Sequence, residues 1–233
     1  MDDVIKDLNK FWNNYYKLNE EDLNYFKSID SSDFLSLAPS KKQIDALNLL
    51  KDSKNVIDYG CGNGWASIIM AKLGTSKITA VDLNENPIKQ LNLFKKAYEV
   101  DDKITSLIID DNWLKMQKDD SYDGFFSSNV IDVIPLNISE SIIKEAKRIL
   151  KKYSYAIFSI NYYISIDEMK KRKWDVKDNS AFIDGILRLT SLSDEEWISV
   201  FTKYFNVIDV IHYSWPEEEN ENRRLFILKN DKV

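Results

Sequence analysis

The chain has 233 residues, enough for one α/β domain with a sizeable core but too few for two typical domains and a linker. Its 44% hydrophobic and 30% charged residues are typical of a soluble globular protein, and its net charge of −6 disfavours a nucleic-acid substrate, because proteins that bind a phosphate backbone usually carry a basic face. The single cysteine, Cys61, cannot form an internal disulfide, and without a signal peptide or an apolar run of about 18 residues we expect a cytoplasmic protein that does not contact a membrane.

The first 40 residues are predicted to form a helical cap. Apolar side chains recur at near-helical spacing over residues 4–27, which predicts one or two amphipathic helices. They include Leu8, Phe11, Trp12, Tyr15 and Tyr16. The next helix is predicted over residues 41–51, with Ser40 as its N-terminal cap.

From residue 55 onward, strand patterns alternate with helix patterns. The expected strands are residues 55–59, 77–81, 106–109, 122–127 and 155–160. The expected helices between them are residues 65–73, 87–98 and 139–150. This alternation predicts right-handed βαβ units and a parallel sheet that is buried by helices on both faces.

The last third of the chain departs from this alternation. Residues 164–192 are rich in Lys and Asp and are interpreted as an insertion. A capping box at Ser193 predicts a helix to about residue 204. Residues 207–213 and 224–228 are then predicted to be two strands of a hairpin, so that the sheet ends antiparallel.

Three closely spaced glycines, Gly60, Gly62 and Gly64, directly follow the first predicted strand. A ligand can approach a turn closely where side chains are absent, and the N-terminus of the next helix offers unpaired N–H groups to it. Asp82 follows the second predicted strand, where its carboxylate can accept hydrogen bonds from both ribose hydroxyls of an adenosyl ligand.

This pattern alone permits NAD, FAD or S-adenosylmethionine. The dinucleotide motif G-x-G-x-x-G requires glycine at position 65, where this chain has Trp65. Because an indole fits poorly where helix and strand pack closely around a pyrophosphate, the spacing disfavours NAD and FAD.

The stretch from Val56 to Gly64, Val-Ile-Asp-Tyr-Gly-Cys-Gly-Asn-Gly, resembles the first motif of class I S-adenosylmethionine-dependent methyltransferases, apolar-apolar-D-x-G-x-G-x-G. The resemblance covers residues 54–163 well and the flanks only in outline. It implies a Rossmann-like, seven-stranded, mostly parallel sheet with helices on both faces and an N-terminal helical cap. It also implies S-adenosyl-L-methionine as the cofactor.

The resemblance carries over to individual cofactor-binding positions. The matching residues are Asp58, Gly60, Cys61, Gly62, Gly64, Asp82, Leu83, Asp111, Asn112 and Asn129. In the family the glycine turn cradles the methionine part of the cofactor, Asp82 would hold the ribose, and Leu83 would pack beside the adenine. Asp111 would accept from the adenine amino group, with Asp110 as the competing position. Asn129, after the fourth strand, would face the sulfonium or the substrate.

The sequence departs from relatives of this kind in two respects. Many carry a histidine shortly after the position of Asn129, whereas the stretch here is Asn-Val-Ile-Asp-Val-Ile-Pro. The Asn-Pro-Pro-Tyr signature of amino-methylating DNA enzymes is also missing, which argues against base amino groups as acceptors.

Catalytic side chains are not clearly marked in the sequence. Methyl transfer from a sulfonium is an in-line displacement, so the protein mainly aligns the reactants and excludes water. A general base is needed only where the acceptor must lose a proton, and the candidates are Tyr16 and the single histidine, His212, for which a structural role is the alternative. No cluster of Cys, His and carboxylates has metal-ligand spacing, so we expect no required metal.

Aromatic and amide side chains from both ends of the chain are candidates for the substrate pocket. They are Trp12, Tyr15, Tyr16, Asn161, Tyr162 and Tyr213. The N-terminal aromatic residues either pack as a helix face on the core or form a lid over the cofactor and the acceptor. The insertion at 164–192 lies where this family usually carries substrate-binding decorations.

We therefore expect a single methyltransferase domain over residues 1–233, which transfers a methyl group to a small-molecule acceptor and leaves S-adenosylhomocysteine. Its parts are the cap at 1–40, the cofactor-binding core at 41–163, the substrate-side insertion at 164–192, and the C-terminal helix and hairpin at 193–233. Two alternatives stay open. One is a methyltransferase for RNA or protein, for which Lys170-Lys-Arg-Lys173 would supply a basic rim. The other is a non-catalytic S-adenosylmethionine-binding module. The acceptor atom and the oligomeric state are not specified by the sequence.

Overall fold

The computed structural model describes residues 2–231 and contains two β-sheets. The strands are β1 Val56–Tyr59, β2 Ile78–Asp82, β3 Ile104–Ile108, β4 Tyr122–Ser128, β5 Leu150–Ile160, β6 Asp175–Lys177, β7 Ser180–Ile183, β8 Ile186–Thr190, β9 Asn206–Tyr213 and β10 Arg223–Lys229. The α-helices are α1 Asp2–Tyr15, α2 Glu20–Lys27, α3 Lys41–Leu47, α4 Trp65–Leu73, α5 Glu85–Ala97, α6 Trp113–Met116, α7 Leu136–Ile149, α8 Ile166–Lys171 and α9 Asp194–Phe201. Short 3-10 turns lie at Phe34–Leu37 and Asn48–Leu50.

The larger sheet has seven strands in the order β3-β2-β1-β4-β5-β10-β9. Strands β1 to β5 pair in parallel, whereas β10 is antiparallel to both β5 and β9. This confirms the predicted seven-stranded, mostly parallel sheet. The hairpin folds so that its second strand lies inside the sheet, which makes β10 almost fully buried and leaves β9 at the edge.

Alternating side chains of the sheet are buried by helices on both faces. Ile57, Phe125 and Phe158 belong to the core cluster that contains the apolar sides of α7 and α9. Their sequence neighbours Val56 and Phe126 belong to the opposite cluster, with α3, α4 and α5. The two-residue period of the strands therefore divides the core into two layers. No helix in the described part of the chain is long and apolar enough to cross a membrane.

Local capping explains where the N-terminal and C-terminal helices start. The predicted caps are present: the Ser40 hydroxyl accepts from the Lys42 N–H, and Ser193 forms a capping box with Glu196. The long amphipathic stretch at 4–27 divides into α1 and α2 because Asn19 forms a further capping box with Asp22.

The insertion at 164–192 contains regular structure that the sequence pattern did not predict. Besides α8, it forms a three-stranded antiparallel sheet in the order β6-β7-β8. Strand β8 is tied to the segment after β4, because the Thr190 N–H donates to the Asp132 carbonyl and the Thr190 hydroxyl donates to the Ile134 carbonyl, both at 2.7 Å. On its other side β8 contacts α1. The small sheet is therefore held between the cap and the carboxyl end of the main sheet.

Candidate active site

A cavity of about 690 Å³ lies beyond the carboxyl ends of β1 to β4 and beneath α1. In open α/β sheets ligands bind at this edge. Nine of the residues predicted for the cofactor site or the substrate pocket are among its walls: Trp12, Tyr15, Tyr16, Gly60, Gly62, Asp82, Leu83, Asp111 and Asn129. The fold therefore brings the N-terminal aromatic residues together with the glycine turn and the acids after β2 and β3.

The glycine turn adopts a backbone that side chains would not fit. Gly60, Gly62 and Gly64 all have positive φ, at 66°, 54° and 80°. A β-carbon on Gly60 would lie 2.3 Å from Val130 Cγ2, and one on Gly62 would lie 2.6 Å from the Tyr16 hydroxyl oxygen. The backbone of the turn therefore lines the cavity directly, between the side chains of Val130 and Tyr16.

Asp82 is fixed at the cavity wall by two backbone donors. Its Oδ2 accepts from the Gly62 N–H at 3.2 Å, and its Oδ1 accepts from the Asn84 N–H at 2.9 Å. Each carboxylate oxygen can accept more than one hydrogen bond, so both keep capacity for a ligand. Burial raises the pKa of Asp82, and these two N–H groups act in the opposite direction.

Three of the predicted cofactor residues support the turn from behind and are not cavity walls. Asp58 is buried and accepts a hydrogen bond of 2.6 Å from the Ser67 hydroxyl, and burial raises its pKa to about 7. Cys61 is also buried, which raises the pKa of its thiol. Gly64 faces α5, where a β-carbon would lie 2.2 Å from Leu91 Cδ1.

The two adjacent acids after β3, Asp110 and Asp111, have different surroundings. Asp111 is a cavity wall. Asp110 instead accepts from the Asn112 N–H at 2.9 Å and so closes the local turn. Asn112 is the N-terminal cap residue of α6 and is not among the cavity walls. Of the two competing positions, the structure brings only Asp111 to the cavity.

Asn129 occupies a left-handed backbone conformation, with φ of 55°, directly after β4. Asparagine is one of the few residues that adopt this conformation readily. Its N–H donates to the Ser159 carbonyl at 2.8 Å, and its side-chain amide donates to Asn161 Oδ1 at 3.1 Å. These bonds hold Asn129 rigidly at the cavity wall.

Asn161, predicted as a pocket wall, is not part of the cavity surface. Its Oδ1 also accepts from Arg223 at 2.6 Å, and its backbone and side-chain N–H groups donate to Asp132 Oδ2 at 2.8 and 2.7 Å. Asp132 is buried, and burial raises its pKa. With its polar groups used in this way, Asn161 holds Asn129 and Asp132 in position and is not a cavity wall.

The remaining C-terminal candidates also lie outside the cavity walls. Tyr162 packs against the small core of the insertion. Tyr213 is fully buried, its hydroxyl lies 2.7 Å from Ser159 Oγ, and burial raises its pKa to about 12. His212 is half exposed on the edge strand β9, with Nε2 at 2.7 Å from Asp194 Oδ2. His212, the candidate base, is therefore not a cavity wall, and its side chain is instead paired with Asp194.

Several walls of the cavity were not predicted. The helix α7 contributes Ile138, Ser141 and Ile142, and the other unpredicted polar or aromatic walls include Gln43, Lys115, Arg188 and Trp215. Ser141 and Ile142 lie in the helix predicted over residues 139–150, in which no site residue was predicted, and Ile138 lies just before the predicted start. Arg188 could not be predicted as a cavity wall because its strand, β8, was not predicted.

Gln43 is the most deeply buried of these additional walls. Its Nε2 donates to Ser159 Oγ at 3.3 Å and to the Tyr213 hydroxyl at 3.2 Å. Within the described residues its Oε1 has no hydrogen-bond partner. The side chain links α3 to the buried polar groups of β5 and β9.

Residues 50–203, well over half of the chain, match a family model described as a methyltransferase domain. The chain belongs to the methyltransferase domain family. Together with the fold, this match confirms the class I S-adenosylmethionine-dependent methyltransferase predicted from the glycine motif. S-adenosylmethionine is the cofactor of that class, as the sequence implied.

The methyltransferase has curated and structural relatives of low identity. It is 27% identical over 154 residues to the ribosomal protein L11 methyltransferase of Ruminiclostridium cellulolyticum, a match that covers 66% of this chain and 44% of that protein. The chain thus spans less than half the length of this curated relative.

Solved structures share the fold of the methyltransferase. A chain of the complex between the Haloferax volcanii Trm112 methyltransferase activator and a methyltransferase has a TM-score of 0.63 at 17% identity, covering 81% of this chain and 88% of that one. An S-adenosylmethionine-dependent methyltransferase from Listeria monocytogenes has a TM-score of 0.60 at 18% identity, covering 81% of this chain and 96% of that one.

Proposed function

We propose that this chain transfers the methyl group of S-adenosylmethionine to a small-molecule acceptor held in the cavity beneath α1. The observation that carries the proposal is the cap. Helix α1 and the residue after it contribute seven cavity walls: Ile5, Leu8, Asn9, Phe11, Trp12, Tyr15 and Tyr16. Pockets that enclose small ligands typically measure about 300–1,000 Å³, and a cavity of this size under a helix suits a cofactor with a compact acceptor.

The cavity residues fit the cofactor of the family. The glycine turn offers backbone at a place where β-carbons would collide with Val130 and Tyr16. Asp82 keeps acceptor capacity on both oxygens for ribose hydroxyls, and Asp111 is available for the adenine amino group. When bound, S-adenosylmethionine supplies a methyl group that its sulfonium already activates for displacement.

The protein's own contribution is then alignment and exclusion of water. Asn129 holds a rigid position at the end of β4, and the aromatic rings of Trp12 and Tyr16 cover the same space. Aromatic faces also attract a cationic centre such as a sulfonium. Burial raises the pKa of Tyr16, and the charge of Asp82 raises it further, so the Tyr16 hydroxyl stays protonated at neutral pH and acts as a hydrogen-bond donor.

A protein acceptor is the second candidate, and the curated relatives favour it. Those relatives are named ribosomal protein L11 methyltransferases. The basic run that would supply a rim is partly neutralised, because Arg172 pairs with Glu168 at 3.0 Å and its guanidinium lies over the Trp174 ring. The cavity beneath α1 therefore supports the small-molecule proposal over this alternative.

A radiolabel experiment distinguishes these candidates. The protein is incubated with S-adenosylmethionine carrying a tritiated methyl group, together with cell extract separated into a low-molecular-weight ultrafiltrate, ribosomal protein and RNA. We expect a labelled product in the ultrafiltrate reaction that chromatography separates from S-adenosylmethionine, and much less of that product with Asp82→Ala. Label only in protein or RNA would contradict the small-molecule proposal, and bound cofactor with no label in any fraction would indicate a non-catalytic binding module.

A further inference from the structure

We infer that the acceptor carries a negatively charged oxygen group, a carboxylate or a phosphate, and that Arg188 binds it. This inference rests on the proposed function, since it concerns the acceptor end of the same cavity. Arg188 lies on β8, which the Thr190 hydroxyl fastens to the Ile134 carbonyl, and its side chain is a cavity wall.

Arg188 differs from the other arginines in the described part of the chain. Arg148, Arg172, Arg223 and Arg224 each form an ion pair with a carboxylate. Arg188 is half-buried, yet within residues 2–231 its guanidinium has neither an ion pair nor a hydrogen bond. A partly buried charge without hydrogen-bonding partners is costly, which indicates that this cation is kept for a ligand.

Phe11 holds the Arg188 guanidinium in place without using its donors. The central carbon of the guanidinium lies 4.2 Å from the centre of the Phe11 ring. A cation–π contact of this kind uses none of the five N–H donors of the guanidinium. The group therefore keeps its donors for a ligand, and their fork geometry matches the two oxygens of a carboxylate or a phosphate.

The other charged walls of the cavity leave Arg188 available to the acceptor. The acids, Asp82 and Asp111, follow β2 and β3, at the positions that fit the ribose and the adenine. Lys115 lies on α6, in the segment that follows Asp111. Around the acceptor space α7 supplies the apolar side chains Ile138 and Ile142. This combination fits an acceptor with an apolar body and one anionic group.

Matched pairs of charged and neutral probes test the inference. The protein is saturated with S-adenosylhomocysteine and titrated with octanoate, benzoate and phenyl phosphate, and with octanamide and benzamide as neutral counterparts. We expect at least one anion to bind more tightly than its neutral counterpart or, for phenyl phosphate, more tightly than benzamide. Arg188→Gln should weaken the binding of that anion by about 10-fold or more and leave the affinity for the amide unchanged. Arg188→Lys, which keeps the positive charge, should retain part of the affinity for the anion. Relative binding of the carboxylates and of phenyl phosphate identifies which anion the site prefers.

A further variant separates binding by Arg188 from its contact with the cap. Phe11→Leu removes the stacked ring but keeps the charge, so the preference for anions over amides should persist. If S-adenosylhomocysteine binds but no anion does, or if Arg188→Gln leaves the anion-to-amide ratio unchanged, the inference is overturned while the proposed function stands. Failure of S-adenosylhomocysteine itself to bind would overturn the proposed function, and the inference with it.

Discussion

The hydroxyl of Tyr16 lies directly over Gly62. A β-carbon on Gly62 would be 2.6 Å from Tyr16 Oη, and the Gly62 N–H donates to Asp82 Oδ2 at 3.2 Å. The residue that follows the N-terminal helix, the glycine turn and the acid after β2 are therefore neighbours in one wall. This contact joins the cap to the cavity wall that we propose as the cofactor site.

We predict that Gly62→Ala weakens S-adenosylhomocysteine binding by about 10-fold or more, because the new methyl group is forced against Tyr16 in a left-handed backbone. Tyr16→Ala removes the side chain that the new methyl group would meet. The double variant should therefore lose less affinity for S-adenosylhomocysteine than the sum of the losses of the two single variants, in free-energy terms. Calorimetry measures all three. Gly185→Ala is a matched control, since Gly185 has φ of 76° but no atom within 4 Å of the added carbon. If Gly62→Ala reduces the affinity equally in the wild type and in Tyr16→Ala, the contact with Tyr16 does not explain the effect.

Asp58 should make the stability of the protein depend on pH. Burial raises its pKa to about 7, from about 3.9 for an unperturbed aspartate, so between these values the folded state retains a proton that the unfolded state has lost. The free energy of unfolding therefore falls as pH rises through this window. Asp58→Asn cannot ionise and lacks this contribution.

The measurement is urea unfolding of wild type and Asp58→Asn at pH 5, 6, 7 and 8. We expect the stability of the wild type relative to Asp58→Asn to decline by about 2 kcal/mol between pH 5 and pH 8. A difference that stays constant, or that grows with pH, would show that Asp58 does not titrate in this range in the folded protein.

Asn161 should matter for stability because of the buried groups it satisfies. Asn161→Ala removes the side-chain donor to Asp132 and the acceptor for Asn129 and Arg223. We expect the free energy of unfolding to fall by about 1–3 kcal/mol in urea titrations. The exposed Asn112, with Asn112→Ala, is the control and should change stability by less than about 0.5 kcal/mol. Equal effects of the two substitutions would contradict the role assigned to Asn161.

The strands and the cofactor turn were predictable because their signals are local. Glycine spacing after β1 and an acid after β2 place a ligand wherever parallel strands end together, and the cavity lies at that edge. Of the two acids after β3, Asp111 was the predicted residue and Asp110 the competing one, and the structure brings Asp111 to the cavity. The capping residues Ser40 and Ser193 were likewise readable from the sequence.

The acceptor side could not be predicted because it depends on contacts between distant segments. The position of β10 between β5 and β9 is not encoded in any short pattern. The contacts of His212 with Asp194 and of Tyr213 with Ser159, which engage these side chains outside the cavity walls, are not encoded in one either. The short strands of the insertion show only weak alternation of apolar and polar residues. The contact between Arg188 and Phe11 could therefore not be predicted. Asn161 has the right residue type and lies just after a strand, but its hydrogen bonds turn it toward the protein interior.

The central claim, that the glycine turn and Asp82 form an S-adenosylmethionine site, is tested most directly by titration calorimetry. Wild type, Asp82→Ala and a control at the exposed Asp102, Asp102→Ala, are titrated with S-adenosylmethionine, S-adenosylhomocysteine and NADH. We expect both sulfur compounds to bind wild type and the control in the micromolar range, NADH not to bind, and Asp82→Ala to lose at least about 10-fold in affinity. Absence of binding by either sulfur compound, or unchanged affinity in Asp82→Ala, would contradict the account.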